Sequence, residues 1–202
     1  VTLSADGDTA FVADYDDGLQ IIDVSNPASP TLTGTLGTSG QTVDVTLSAD
    51  GNTAFVADIS VGLRIIDVST PASPTRIATY KWNPRPIAYR VALSADGNTA
   101  FVTDYAYGGL QMIDVSTPAS PTLTANYDID GVTTDITLSA DGNTAFVTNQ
   151  SEGLRIIDVS APQYFSSNSD TASIQIADPA PILTSPTPAP ILTSPTPAPE
   201  PT

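Results

Sequence analysis

The chain has 202 residues, 40% of them hydrophobic, enough to bury a core in one or two domains. Its 22 Asp and Glu against 6 Lys and Arg give a formal charge of -16, which repels phosphate backbones and anionic lipid surfaces and argues against a nucleic-acid partner. With neither Cys nor His, disulfides, thiolate metal sites and the commonest general base are absent from the repertoire, and much enzyme chemistry goes with them.

No stretch approaches the run of about 18 apolar residues that a membrane span requires, so direct membrane insertion is not expected. Val1 opens inside a repeated block, and further repeats upstream are therefore an expectation. The block, LSADG followed by Asp or Asn and then TAFV, begins at Leu3, Leu47, Leu93 and Leu138, spaced 44, 46 and 45 residues apart. A second block recurs after it: GLQIIDVS from Gly18, GLRIIDVS from Gly62, GLQMIDVS from Gly109 and GLRIIDVS from Gly153.

Each unit divides into four short strands, illustrated by Asp44 to Ser48, Thr53 to Ala57, Leu63 to Ser69 and Thr75 to Tyr80. Ala49 to Asn52 predicts a tight hairpin, with Gly51 free to take positive φ and Asp50 able to accept hydrogen bonds from the turn. Pro71 and Pro74 remove backbone donors between the third and fourth strands and stop the ladder there. Both faces of the middle strands are apolar, so the sheet must be covered on both sides. Blades stacked around an axis satisfy that demand, and the fold class expected is an all-β propeller of four-stranded blades of about 45 residues. The blades are placed at about 1–44, 45–90, 91–135 and 136–177. They form either a complete four-bladed ring or part of a larger one, with Thr171 to Ala177 as a candidate outer strand of the fourth.

The third-strand block, as LQIIDVSNPASP from Leu19, LRIIDVSTPASP from Leu63, LQMIDVSTPASP from Leu110 and LRIIDVSAP from Leu154, resembles the LVIVD repeat. Residues 1 to about 162 carry the resemblance. It implies a propeller in a secreted or cell-surface protein and no single activity.

Residues 178–202 form a Pro/Thr/Ser-rich extended tail with a nine-residue repeat. It reads as a spacer or as an O-glycosylated stalk, with Thr184, Ser185, Thr187, Thr193, Ser194 and Thr196 as acceptors. The apolar pairs Ile182-Leu183 and Ile191-Leu192 also predict an assembly strand that docks on a neighbouring subunit.

The regular carboxylates Asp23, Asp67, Asp114 and Asp158 read as acceptors for the adjoining turn, and Asp6, Asp50, Asp96 and Asp141 as hairpin residues. The less regular Asp14, Asp16, Asp17, Asp58 and Asp104 lie in loops between the second and third strands and are the candidate ligands for Ca²⁺ or another cation; no other cofactor is expected. Tyr80 to Arg90, YKWNPRPIAYR, departs from the repeat and carries the lone Trp. Tyr80, Lys81, Trp82, Arg85 and Arg90 are therefore candidate binding residues.

These readings lead to a non-enzymatic extracellular scaffold, a module of a cell-surface or filamentous assembly whose partners are its own copies, surface proteins or glycans. The alternative is a secreted module that recognises glycan or protein through the loops around Trp82. Catalysis is not expected.

Overall fold

The computed structural model describes residues 1–83, 85–105, 109–151 and 153–160. The tail with its glycosylation and assembly residues, and the segment Thr171 to Ala177, lie outside the described residues. Alternating β-branched and aromatic side chains between Gly and Pro turns produce fifteen strands, and no helix long and apolar enough to cross a membrane occurs among the described residues. The first sheet comprises β1 (Thr2–Leu3), β2 (Thr9–Ala13), β3 (Leu19–Asp23) and β4 (Thr31–Leu36). The second holds β5 (Thr42–Leu47), β6 (Thr53–Asp58), β7 (Gly62–Asp67) and β8 (Thr75–Tyr80). The third holds β9 (Ala88–Leu93), β10 (Thr99–Asp104), β11 (Leu110–Asp114) and β12 (Thr122–Tyr127), and the fourth β13 (Thr133–Leu138), β14 (Thr144–Asn149) and β15 (Gly153–Asp158). Every sheet is antiparallel in chain order.

The sheets divide between β4 and β5, between β8 and β9, and between β12 and β13. The boundaries expected at residues 44/45, 90/91 and 135/136 instead fall within the first strand of a blade, because the LSADG block that marks the repeat begins at the end of that strand.

The turn chemistry follows the side chains. In the β5–β6 hairpin Gly51 has φ 73, the Ser48 hydroxyl donates to Asp50, the Asn52 amide donates to the same carboxylate at 3.1 Å and the Thr53 amide donates to Ser48 Oγ at 2.9 Å. The third-strand Asp is likewise a turn acceptor: the Ser69 amide and hydroxyl both donate to Asp67 Oδ1, at 2.9 and 2.6 Å. Equivalent bonds occur at Asp23 and Asp158. Neither set of carboxylates is gathered into a site.

These bonds give the fold a pH dependence. Hydrogen bonds from Ser side chains, then from backbone amides, hold Asp6, Asp50, Asp96, Asp141, Asp23, Asp67, Asp114 and Asp158 below the ordinary carboxylate range. A carboxylate whose pKa is lower in the folded state stabilises the fold above its unfolded pKa and ceases to do so as pH falls through the folded one. The melting temperature followed by circular dichroism is therefore expected to hold from neutrality to about pH 4 and to decline below it. A melting temperature that rises from pH 4 to pH 2 would contradict these bonds.

The blades pack face to face through one recurring arrangement. From blade 1, Phe11, Leu19 and Ile21 meet Val56, Ile66 and Val68 of blade 2, all six between 0 and 3% exposed. The corresponding residues of blades 2 and 3, and then of blades 3 and 4, build two further cores of the same kind. Hydroxyl latches cross between blades: Thr42 Oγ1 donates to the Gly18 carbonyl at 2.9 Å, and Thr133 Oγ1 to the Asp104 carbonyl at 2.8 Å.

Among the described residues the four sheets do not close into a ring. Leu154 and Ile156 on the outward face of blade 4 are 57% and 49% exposed, whereas Leu63 and Ile65 at the same positions in blade 2 are fully buried. The described residues form an open arc of four sheets.

Candidate functional site

Trp82 does not present a surface platform. It is 9% exposed, packs in the core between blades 2 and 3, and donates its indole N–H to Asp104 Oδ2 at 2.5 Å. Its ring lies 6.3 Å from that of Tyr80 with planes 30° apart. The irregular loop departs from the repeat in order to fill an inter-blade gap, which corrects the expectation that Trp82 binds glycan or protein. Lys81 and Arg85 are exposed beside it and are not drawn into a common site with it.

The loop carboxylates are also not assembled as cation ligands. Asp58 is fully buried and receives Arg64 Nε at 2.7 Å, the Gln41 amide at 3.1 Å and the Ser60 amide at 2.9 Å. Asp104 accepts the indole, and Asn149 at the next equivalent position accepts the Ser151 amide at 2.8 Å while donating to the Asp130 carbonyl at 2.7 Å. In blades 2, 3 and 4 this position ties the connection entering the blade to the β-hairpin of that blade. Asp14, Asp16 and Asp17 are exposed, and no group of three carboxylates is close enough to hold a metal ion among the described residues.

The polar side chains that do converge lie on the first strands of blades 2, 3 and 4. These strands are the inner ones: β5 packs beside β9 and β9 beside β13. Three residues before Leu47, Leu93 and Leu138, one repeat position carries Asp44, Arg90 and Asp135 in turn. Asp44 Oδ2 accepts the Val91 amide of the next blade at 3.0 Å. Arg90 Nε stands 3.8 Å from Asp135 Oδ1, its Nη1 donates to the Tyr89 carbonyl at 2.9 Å, and its guanidinium carbon lies 4.4 Å from the centre of the Tyr89 ring. The Tyr89 ring is in turn 4.9 Å from that of Tyr105, with the planes at 41°.

Burial pushes the Asp44 carboxyl above the ordinary carboxylate range, against the Val91 amide and the Arg90 cation, which pull it down. Arg90 is one-third exposed and Asp135 two-thirds exposed, so the row opens to solvent. It offers acceptors on both sides, a planar donor between them and an aromatic edge, the equipment for hydroxyl and carbonyl groups on a small molecule. An open cleft of about 320 Å³ further along the same strands, lined by Ala92, Leu93, Ile136 and Leu138 among others, has no charged wall.

Of the residues singled out in the sequence, only Arg90 belongs to this row. Asp44 and Asp135 were missed although the sequence carries a signal for them: within near-identical blocks, one position reverses charge from blade to blade.

The LVIVD repeat model matches residues 2–38, 39–81, 88–129 and 130–168. The chain belongs to the LVIVD repeat family. No curated protein sequence matches it. Among solved structures, this LVIVD chain is similar to the periplasmic gluconolactonase PpgL of Pseudomonas aeruginosa, with a TM-score of 0.62 and 20% identity over 80% of this chain and 57% of that one. It is similar to the propeller domain of Cps50 (Swd1) from Myceliophteria thermophila, with a TM-score of 0.62 and 15% identity over 79% and 55%. A protein from Bacteroides uniformis assigned as a 6-phosphogluconolactonase gives a TM-score of 0.68 and 15% identity over 78% and 49%.

The LVIVD chain thus spans about half the length of the solved structures it matches, and the likeness establishes the propeller fold. It also corrects the expectation of a scaffold or filament subunit: structures sharing this arc include a gluconolactonase and a protein assigned as a 6-phosphogluconolactonase.

Proposed function

We propose that this chain recognises a neutral, polyhydroxylated small molecule of the sugar-lactone class on its inner-strand face, and that it does so without chemistry of its own. The observation that carries the reading is the row Asp44, Arg90 and Asp135, backed by the Tyr89 ring beside Arg90 on β9. Carboxylates accept ring hydroxyls, the guanidinium donates to a carbonyl in its plane, and the tyrosine edge packs on C–H groups. A neutral ligand suits a chain of charge -16, which repels free anions. The names of two similar structures, a gluconolactonase and an assigned 6-phosphogluconolactonase, support the ligand class.

Binding without turnover is the reading because the chain lacks His and Cys and the row holds no nucleophile paired with a base. An extracellular or cell-surface setting fits the family resemblance. Raised by burial, Asp44 favours one second reading, in which it serves as a general base for lactone opening.

The test is calorimetric titration with D-gluconolactam, which keeps the ring, hydroxyls and carbonyl and does not hydrolyse. Saturable binding is expected, weakened about tenfold or more by Arg90→Ala, the loss of one charged hydrogen bond. Absence of saturable heat with the unsubstituted chain would sink the proposal. Acceleration of D-glucono-δ-lactone opening that Asp44→Asn abolishes would replace it with the second reading.

A further inference from the structure

The sequence holds six Asp-Gly pairs: Asp6-Gly7, Asp17-Gly18, Asp50-Gly51, Asp96-Gly97, Asp130-Gly131 and Asp141-Gly142. Such a pair is chemically distinct because glycine has no Cβ to keep its amide nitrogen away from the carboxyl carbon of the preceding side chain. The fold protects most of these pairs. In the four hairpins the amides of Gly7, Gly51, Gly97 and Gly142 donate to the carbonyls of Ser4, Ser48, Ser94 and Ser139, each at 2.9 Å. The hydroxyls of the same serines donate to Asp6, Asp50, Asp96 and Asp141 and hold those carboxyls below their ordinary range. The nitrogen is thus occupied, and the neutral acid, whose hydroxyl can leave, is scarce. Gly18 is buried, and its amide donates to the Tyr15 carbonyl at 3.4 Å.

Asp130-Gly131 has neither protection. It lies in the connection between β12 and β13, both residues are exposed, and Gly131 has φ 93. Among the described residues the Gly131 amide donates to no acceptor and the Asp130 carboxylate accepts from no donor.

We infer that Asp130-Gly131 is a self-modification site, at which the chain converts aspartate to isoaspartate, and that the change undoes the latch between blade 4 and the connection entering it. The Gly131 nitrogen attacks Asp130 Cγ: the N–Cγ bond forms, the Cγ–OH bond breaks, and the amide proton leaves with that hydroxyl as one water. A second water then opens the five-membered ring. Breaking N–Cγ restores aspartate. Breaking the bond from the nitrogen to the α-carbonyl carbon leaves isoaspartate, with the main chain routed through Cβ and Cγ and the former α-carbonyl a free carboxylate. The water released equals the water taken up, and no oxidant or reductant is needed.

The α-carbonyl of Asp130 is the acceptor of Asn149 Nδ2 at 2.7 Å, and the Val132 carbonyl accepts the Gln150 amide at 2.9 Å. Isomerisation takes the first of these acceptors out of the main chain and lengthens the connection by one carbon between the two bonds. The entry into blade 4 loosens, whether or not the inner-strand row binds a ligand.

Incubating the full chain at about 37 °C in mildly acidic buffer made with ¹⁸O-enriched water, followed by peptide mapping with mass spectrometry, tests this. One heavy oxygen is expected in the Asp130 peptide for each ring opened. Isoaspartate should accumulate there at least about tenfold faster than at any hairpin pair, the factor that two retained hydrogen bonds supply. Asp130→Glu keeps the charge but would have to close a six-membered ring, and its peptide should stay unlabelled. Ser48→Ala frees the Asp50 carboxylate and should raise labelling at Asp50. In hydrogen exchange the Gln150 amide of the incubated chain should exchange faster than that of Asp130→Glu incubated alongside. Labelling that is absent from Asp130, or spread evenly over all six pairs, overturns the inference. Unchanged Gln150 exchange in a chain carrying isoaspartate at Asp130 overturns the loss of the latch.

Discussion

Asp58→Ala is expected to cost about 3–5 kcal/mol of stability, one of the two largest losses foreseen in the chain, because it strands the Arg64 guanidinium in a site where the arginine is 3% exposed. The same change removes the acceptor of the Gln41 and Ser60 amides, loosening the connection into blade 2 and the turn after β6 together. Replacing both charges, as Asp58→Leu with Arg64→Met, removes the stranded ion and should recover much of the loss. Urea denaturation of the three proteins gives the comparison. If Asp58 were an exposed cation ligand, Asp58→Ala would instead leave the urea midpoint unchanged.

Trp82→Ala should destabilise by about 3–5 kcal/mol, since it opens a cavity between blades 2 and 3. Trp82→Phe keeps most of the apolar volume but removes the indole donor from a buried Asp104 carboxylate, for an expected cost of about 1–3 kcal/mol. The order Ala, then Phe, then the unsubstituted chain in rising urea midpoint follows from a packing role. A surface binding role predicts three equal midpoints and a change in ligand affinity alone.

The repeat made the blades legible because spacing, Asp-Gly hairpins and Pro turns are local signals, each visible within a few residues. The third-strand Asp could be read as a turn acceptor for the same reason, since Asp67 and Ser69 are two positions apart. What stayed hidden depends on contacts distant in sequence. Trp82 meets Asp104 across 22 positions, and Asp44 meets the Val91 amide across 47. A loop that breaks the repeat looks functional when its purpose is to fill a gap beneath the next blade, as Trp82 does. Asp58 and Asp104 look like loop charges until the arc buries them.

The converse error hid the inner-strand row. Asp44, Arg90 and Asp135 sit inside the regular part of the repeat, where attention to irregular loops passes over them, and only an alignment of blades 2, 3 and 4 exposes the change of sign. Ring closure was open in the sequence because a four-bladed ring and a four-bladed arc use the same strands. They differ in whether Leu154 and Ile156 are covered by another blade, and no blade among the described residues covers them.

The row on the inner strands is the centre of the functional account, and an amide spectrum of the ¹⁵N-labelled chain titrated with D-gluconolactam tests it most directly. Saturable shifts are expected at Asp44, Arg90, Val91 and Asp135, with the amides of Lys81, Trp82 and Arg85 unmoved. Shifts confined to the Lys81 to Arg85 loop, or none that saturate, would contradict it.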